Sequence, residues 1–150
     1  MQSLSETKKP EHPAPQCRSA PLCGIRIIDF GHAANNHNVL LANVGGGTQG
    51  AWQIRIGGNN RDLRFNNFWE VNNWVHAAAT VTEGGIMRLY KNGQQVAENV
   101  NGHAPAVQTR ANHYVGRSNW GNDRYFRGYM DELILYQRAI TQGEVNRIMK

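Results

Sequence analysis

Ile86-Met-Arg-Leu-Tyr-Lys91, Asn92-Gly93, Gln94-Gln-Val-Ala-Glu98 is the stretch that decides the fold. Asn-Gly supplies the two residues of positive φ that a type I′ turn needs, so the flanking segments form a tight antiparallel hairpin. Upstream, Trp74 to Thr82 places Val75, Ala77, Ala79 and Val81 on one face and His76, Ala78 and Thr80 on the other. In Ala51 to Ile56, Trp52, Ile54 and Ile56 alternate with Gln53 and Arg55. Strict alternation is the mark of a half-buried strand. Leu63 and Phe65, the β-branched run Ile25 to Phe30, Asn38 to Val44, and Asn112 to Arg117 add further short segments between Gly- and Asn-rich turns.

Phe126 to Gln137 reads as the strongest strand of all. Met130, Ile134 and Tyr136 share one face with Glu132, while Leu133 and Leu135 share the other with Asp131, and apolar residues on both faces predict burial on both sides. The period then switches. Thr141-Gln-Gly-Glu144 is a capping box, followed by Val145, Ile148 and Met149 at helical spacing. About eight short strands and one short C-terminal helix predict an all-β chain, an antiparallel β-sandwich.

The 150 residues are one domain's worth. Residues 1–24 read as a Pro-rich N-terminal tail, with four of the five prolines, and 25–150 as the domain. Cys17 and Cys23, both in the tail, fit neither a disulfide-dense scaffold nor a four-ligand zinc site. No stretch is long and apolar enough to span a bilayer, and no export signal is read at the N-terminus. The net charge of +5 permits acidic partners, but the basic residues are scattered, and no nucleic-acid signature accompanies them.

Five motifs, in order, resemble one family. Arg26-Ile-Ile-Asp-Phe-Gly31, Trp74-Val-His-Ala-Ala-Ala-Thr80, Met87-Arg-Leu-Tyr-Lys-Asn-Gly-Gln-Gln-Val96, Tyr114-Val-Gly-Arg-Ser118 and Phe126-Arg-Gly-Tyr-Met-Asp-Glu-Leu-Ile-Leu-Tyr-Gln-Arg-Ala-Ile-Thr-Gln-Gly-Glu-Val145 are similar to the concanavalin A-like, laminin-G-like jelly-roll family. The resemblance implies a jelly roll over residues 25–150 and makes Trp74 a core position. It also implies an exported protein and a non-catalytic, lectin-like role, since the family holds glycan-binding modules, adhesion domains and pieces of larger enzymes. Relatives carry one or two strands ahead of the Arg26 segment, where this chain has its Pro-rich tail. The expectation is an open sheet edge, covered by a second copy in a homodimer.

Catalysis has little to work with. A glycosidase needs two carboxylates about 5–10 Å apart across the scissile bond. No Glu-x-Asp or Asp-x-Glu pair occurs, Asp131 and Glu132 point to opposite faces of a strand, and there is no Gly-x-Ser-x-Gly elbow. The expected function is carbohydrate binding, of an acidic glycan in particular, through inter-strand loops. The alternatives are a protein-interaction or assembly domain using an open edge, and a remnant of a larger polysaccharide-active enzyme. Of 17 asparagines many lie in loops, where planar amides can satisfy sugar hydroxyls. The candidate ligand-binding residues are Trp120 and Trp69 as stacking platforms, with Asn119, Asn122, Asp123, Asn60 and Arg61 as hydrogen-bonding partners. Calcium is the candidate cofactor, on Asp131, which matches a position that helps hold a structural ion in related jelly rolls, with oxygens added by Asp29. His32 and His37 share a loop but have no third ligand for zinc.

Overall fold

The computed structural model describes residues 24–34 and 36–149. The tail residues 1–23, and with them Cys17 and Cys23, lie outside the described residues. Eight strands and one helix follow in order: β1 (Ile25–Gly31), β2 (Val39–Val44), β3 (Gln49–Ile56), β4 (Asn59–Phe65), β5 (Ala77–Val81), β6 (Met87–Lys91), β7 (Gln94–Asn99), β8 (Asn112–Val115) and α1 (Gln142–Ile148). They form two antiparallel sheets, ordered β4-β3-β2-β1-β8 and β5-β6-β7. The expected all-β sandwich with a short C-terminal helix is therefore found.

The hairpin is built as its sequence dictates. Asn92 and Gly93 have φ of 48° and 79°, and β6 pairs with β7 on either side of them. The helix begins as read: the Thr141 side chain accepts from the Glu144 amide, and the Glu144 carboxylate accepts from the Thr141 amide. Val145 and Ile140 seat the helix against Tyr90. The inner faces of the two sheets meet in one core, with Ile28, Leu41, Trp52, Ile54, Leu63 and Phe68 from one side and Met87 and Leu89 from the other. Trp52 is core, as its alternation predicts.

β1 carries an irregularity that the period-2 pattern does not reveal. Arg26 pairs with Ala42 and Ile28 with Leu41, so Ile27 is one residue too many for the ladder. Such a bulge turns the following side chains through half a period. Arg26 and Asp29, three apart, thus share the outer face, while Ile28 points to the core.

Two expectations are corrected. Phe126 to Gln137 joins neither sheet; it crosses the open side of the sandwich as an irregular strap, with Glu132 at a φ of 49°. A strand needs a ladder partner, and the strap faces β5 across an apolar cavity of about 2710 Å³ instead of lying beside it. Trp74, expected in the core, is 70% exposed. It precedes β5 at the rim of the same cavity, and among the described residues no layer covers it. β5 is an edge strand of the three-stranded sheet.

Candidate functional site

The register places one side chain of each outer-face pair in a row across the five-stranded sheet. Tyr114, Asp29, Leu40, Gln53 and Asp62 stand side by side, as do Arg26, Ala42, Ala51 and Arg64 in a second row, with Arg55 opposite Asn60. This face is as polar as the inner face is apolar. Gln53 Nε2 donates to Asp62 Oδ2 at 2.7 Å, and Arg64 Nη2 donates to the same oxygen at 2.7 Å.

The loop 117–124 folds down on this face. Asp29 is fully buried and anchors it: its Oδ1 accepts from Asn38 Nδ2 at 2.9 Å and its Oδ2 from the Asn119 amide at 2.8 Å. Asp123 Oδ2 accepts from Ser118 Oγ at 2.7 Å and lies 3.0 Å from Arg26 Nη2. The Trp120 amide donates to Ser118 Oγ, and the Asp123 amide closes the turn onto the Trp120 carbonyl. Two guanidinium groups approach the indole of Trp120, Arg26 at 5.1 Å and Arg55 at 5.2 Å from its ring centroid. Each such contact is worth about 0.5–2 kcal/mol, more as water is excluded. Burial lowers the Arg55 pKa, and Asp62 pulls it back up. Gly31 must be glycine here, because a Cβ would lie 2.2 Å from Asn38 Nδ2.

The structure gathers Trp120, Asn119, Asp123 and Asn60 onto this face, with Asn122 exposed at the loop tip. Trp120 is half-buried, so it offers a ligand only part of its ring. Asn119 is spent on structure: besides Asp29, its Oδ1 accepts from Asn112 Nδ2. Arg61 is on the opposite face, paired with Ile54, and its Nε donates to the Asn101 carbonyl. Trp69 is also elsewhere. Its ring stands edge-on to Phe68 and its indole N–H donates to the Ala42 carbonyl, so it pins a loop to the core. Sequence reasoning missed Arg26, Gln53, Asp62 and Asn38 as parts of the face. Gln53 and Asp62 could be found from alternation in β3 and β4, but Arg26 could not, because the bulge sets its direction.

Asp29 and Asp131 do not form one metal site. Asp29 is buried on the outer face with both oxygens facing N–H donors, which repel a cation; Asp131 sits on the exposed strap. Among the described residues there is no group of three or more His, Cys, Asp or Glu that could hold a metal ion, and no helix is long and apolar enough to cross a membrane.

Three buried side-chain oxygens on this face, Asn38 Oδ1, Asn60 Oδ1 and Asp62 Oδ1, take no hydrogen bond from a described residue. Buried acceptors are normally paired, and each one left open costs about 1–3 kcal/mol. These three lie beneath the surface, and the outward-facing group beside them is Arg64, whose side chain is 50% exposed and can donate to an anion.

The chain resembles a solved structure of an S-layer domain-containing protein from Clostridium thermocellum, at 21% identity and a TM-score of 0.50, over 97% of this chain and 72% of that one. That likeness is one of fold. No curated protein matches the chain. A family model of laminin G type, described as the concanavalin A-like lectin/glucanases superfamily, matches residues 20–146. The order of strands, the two facing sheets and this match agree, and the chain belongs to the concanavalin A-like lectin/glucanases superfamily.

Proposed function

We propose that the chain is a non-catalytic binding module that recognises carbohydrate, acidic glycans above all, on the outer face of the five-stranded sheet. The observation that carries this reading is the half-exposed Arg64 guanidinium on a polar sheet face that also holds the partly exposed ring of Trp120. A uronate or sulfate suits the planar fork of Arg64, which its neighbour Asp62 only partly occupies. The exposed part of the Trp120 indole supplies apolar contact for a sugar ring.

The acids of this face favour binding over hydrolysis. Asp29 is buried among donors, Asp123 faces Arg26, and Asp62 accepts from Gln53 and Arg64. Each faces donors or a cation, not the apolar pocket in which a glycosidase holds its general acid. Calcium has no part in this reading, since the donors around Asp29 do not fit a cation.

A glycan array of the full chain, run with calcium and with EDTA, tests the proposal. Binding to acidic glycans in both conditions is expected. Arg64→Ala should abolish the preference for acidic over neutral glycans, and Trp120→Ala should lower affinity by about 1–3 kcal/mol, the usual loss on truncating an aromatic anchor. A clean array in both conditions overturns the reading. A second reading, an assembly module, is favoured by a separate observation, the exposed strap.

A further inference from the structure

Leu133, Ile134, Leu135 and Tyr136 follow one another and are exposed by 52%, 50%, 64% and 44%. Four consecutive exposed apolar side chains are a liability unless something covers them. The strap that carries them is fixed at both ends. At its start the Phe126 amide donates to the Gly116 carbonyl at 2.8 Å, and Arg124 bridges to Ile25. At its end Ile140 and Val145 are buried against Tyr90, and Gln142 donates to the Gly93 carbonyl. Between these anchors its backbone belongs to no ladder, and Trp74 and Tyr129 extend the apolar patch beside it.

Residues 1–23 are a poor cover by composition. Prolines at 10, 13, 15 and 21 remove ladder donors, and Met1, Leu4 and Leu22 are its only large aliphatic side chains. A second copy brings what is missing: the same Pro-free apolar segment, with unpaired donors and acceptors, related by a two-fold axis. Six large side chains, Trp74, Tyr129, Leu133, Ile134, Leu135 and Tyr136, would each lose on the order of 100 Å². With the backbone of the strap this approaches the roughly 800 Å² per partner of a stable interface.

We propose that this face is an interface between two copies of this chain, in which the Leu133–Tyr136 segments pair antiparallel across a two-fold axis and close the mouths of both cavities. The proposal is independent of the carbohydrate reading, whose face lies on the other side of the five-stranded sheet. Light scattering and sedimentation of the full chain from about 1 to about 100 μM should show a dimer that dissociates on dilution. Leu133→Asp with Leu135→Asp should weaken it by at least roughly tenfold, with unchanged far-UV circular dichroism. Amide exchange at residues 133–136 of the unaltered chain, which needs no variant, should slow as concentration rises. A monomer throughout this range overturns the proposal. So does a dimer indifferent to the paired substitution, or exchange protection that is present at every dilution, which would mean a cover from within the chain.

Discussion

The loop 117–124 and the strap 126–137 are neighbours in sequence and opposites in chemistry. The loop is short and polar, and nearly every group on it has a partner: Asn119 with Asp29 and Asn112, Ser118 with Asp123, Trp120 with Arg26 and Arg55. The strap is apolar on both sides and is held only where it begins and ends. Sequence hydrophobicity alone would rank the strap as the better-packed of the two. The reverse holds because packing needs a layer on the far side, whereas hydrogen-bonding partners can be recruited from the face a loop lies on.

The sharpest way to break the contrast is Asp29→Ala. It leaves Asn38 and the Asn119 amide without their buried acceptor, and unfolding in urea should show a loss of about 2–6 kcal/mol, the usual cost of two buried donors left unpaired. Ile134→Asp on the strap, measured at concentrations where the chain is monomeric, should stay within about 0.5 kcal/mol, as exposed substitutions do. Equal losses from the two would erase the distinction. Next in size, Trp120→Ala should cost about 1–4 kcal/mol by removing two contacts between cation and ring, against about 0.5 kcal/mol or less for Trp74→Ala. Thermal unfolding compares the two tryptophans directly.

Smaller still is the helix that ends the strap. Thr141→Ala should cost about 1 kcal/mol by removing the cap. The Arg138 side chain, and then the Thr141 amide, hold the Glu144 carboxyl well below its ordinary 4.5, at about 2. A lowered acid contributes stability above its unfolded value and loses it as pH falls through the folded one. The Glu144 contribution should therefore be intact above pH 4.5 and fade towards pH 2. Glu144→Gln should flatten the stability profile in that window and leave the slope between pH 5 and 8 untouched. The smallest expected effect is that of EDTA, which should not move the melting temperature; a clear drop would bring calcium back to this domain.

The hairpin at Asn92-Gly93, the capping box at Thr141 and the alternation of Trp52, Ile54 and Leu63 were legible because each is a local rule satisfied by adjacent residues. Trp120 was singled out from its polar setting, but its partners were not, because Arg26 and Arg55 come from strands far away in sequence. Trp69 and Arg61 stood in plausible loops and turned out to serve the core and the Asn101 carbonyl. Phe126 to Gln137 misled for a physical reason: a two-sided apolar pattern states what a segment requires of its surroundings, and the described residues fill only one side.

The extra residue at Ile27 makes a backbone irregularity a determinant of surface chemistry. Were the ladder to straighten with Ile27 still in it, Arg26 would fall opposite Asn43 and turn from the outer face into the greasy interior, away from Asp123 and the indole. The outer-face cluster would then be dismantled with every one of its side chains still encoded, whereas removing Ile27 itself would leave Arg26 opposite Ala42 and the cluster in place.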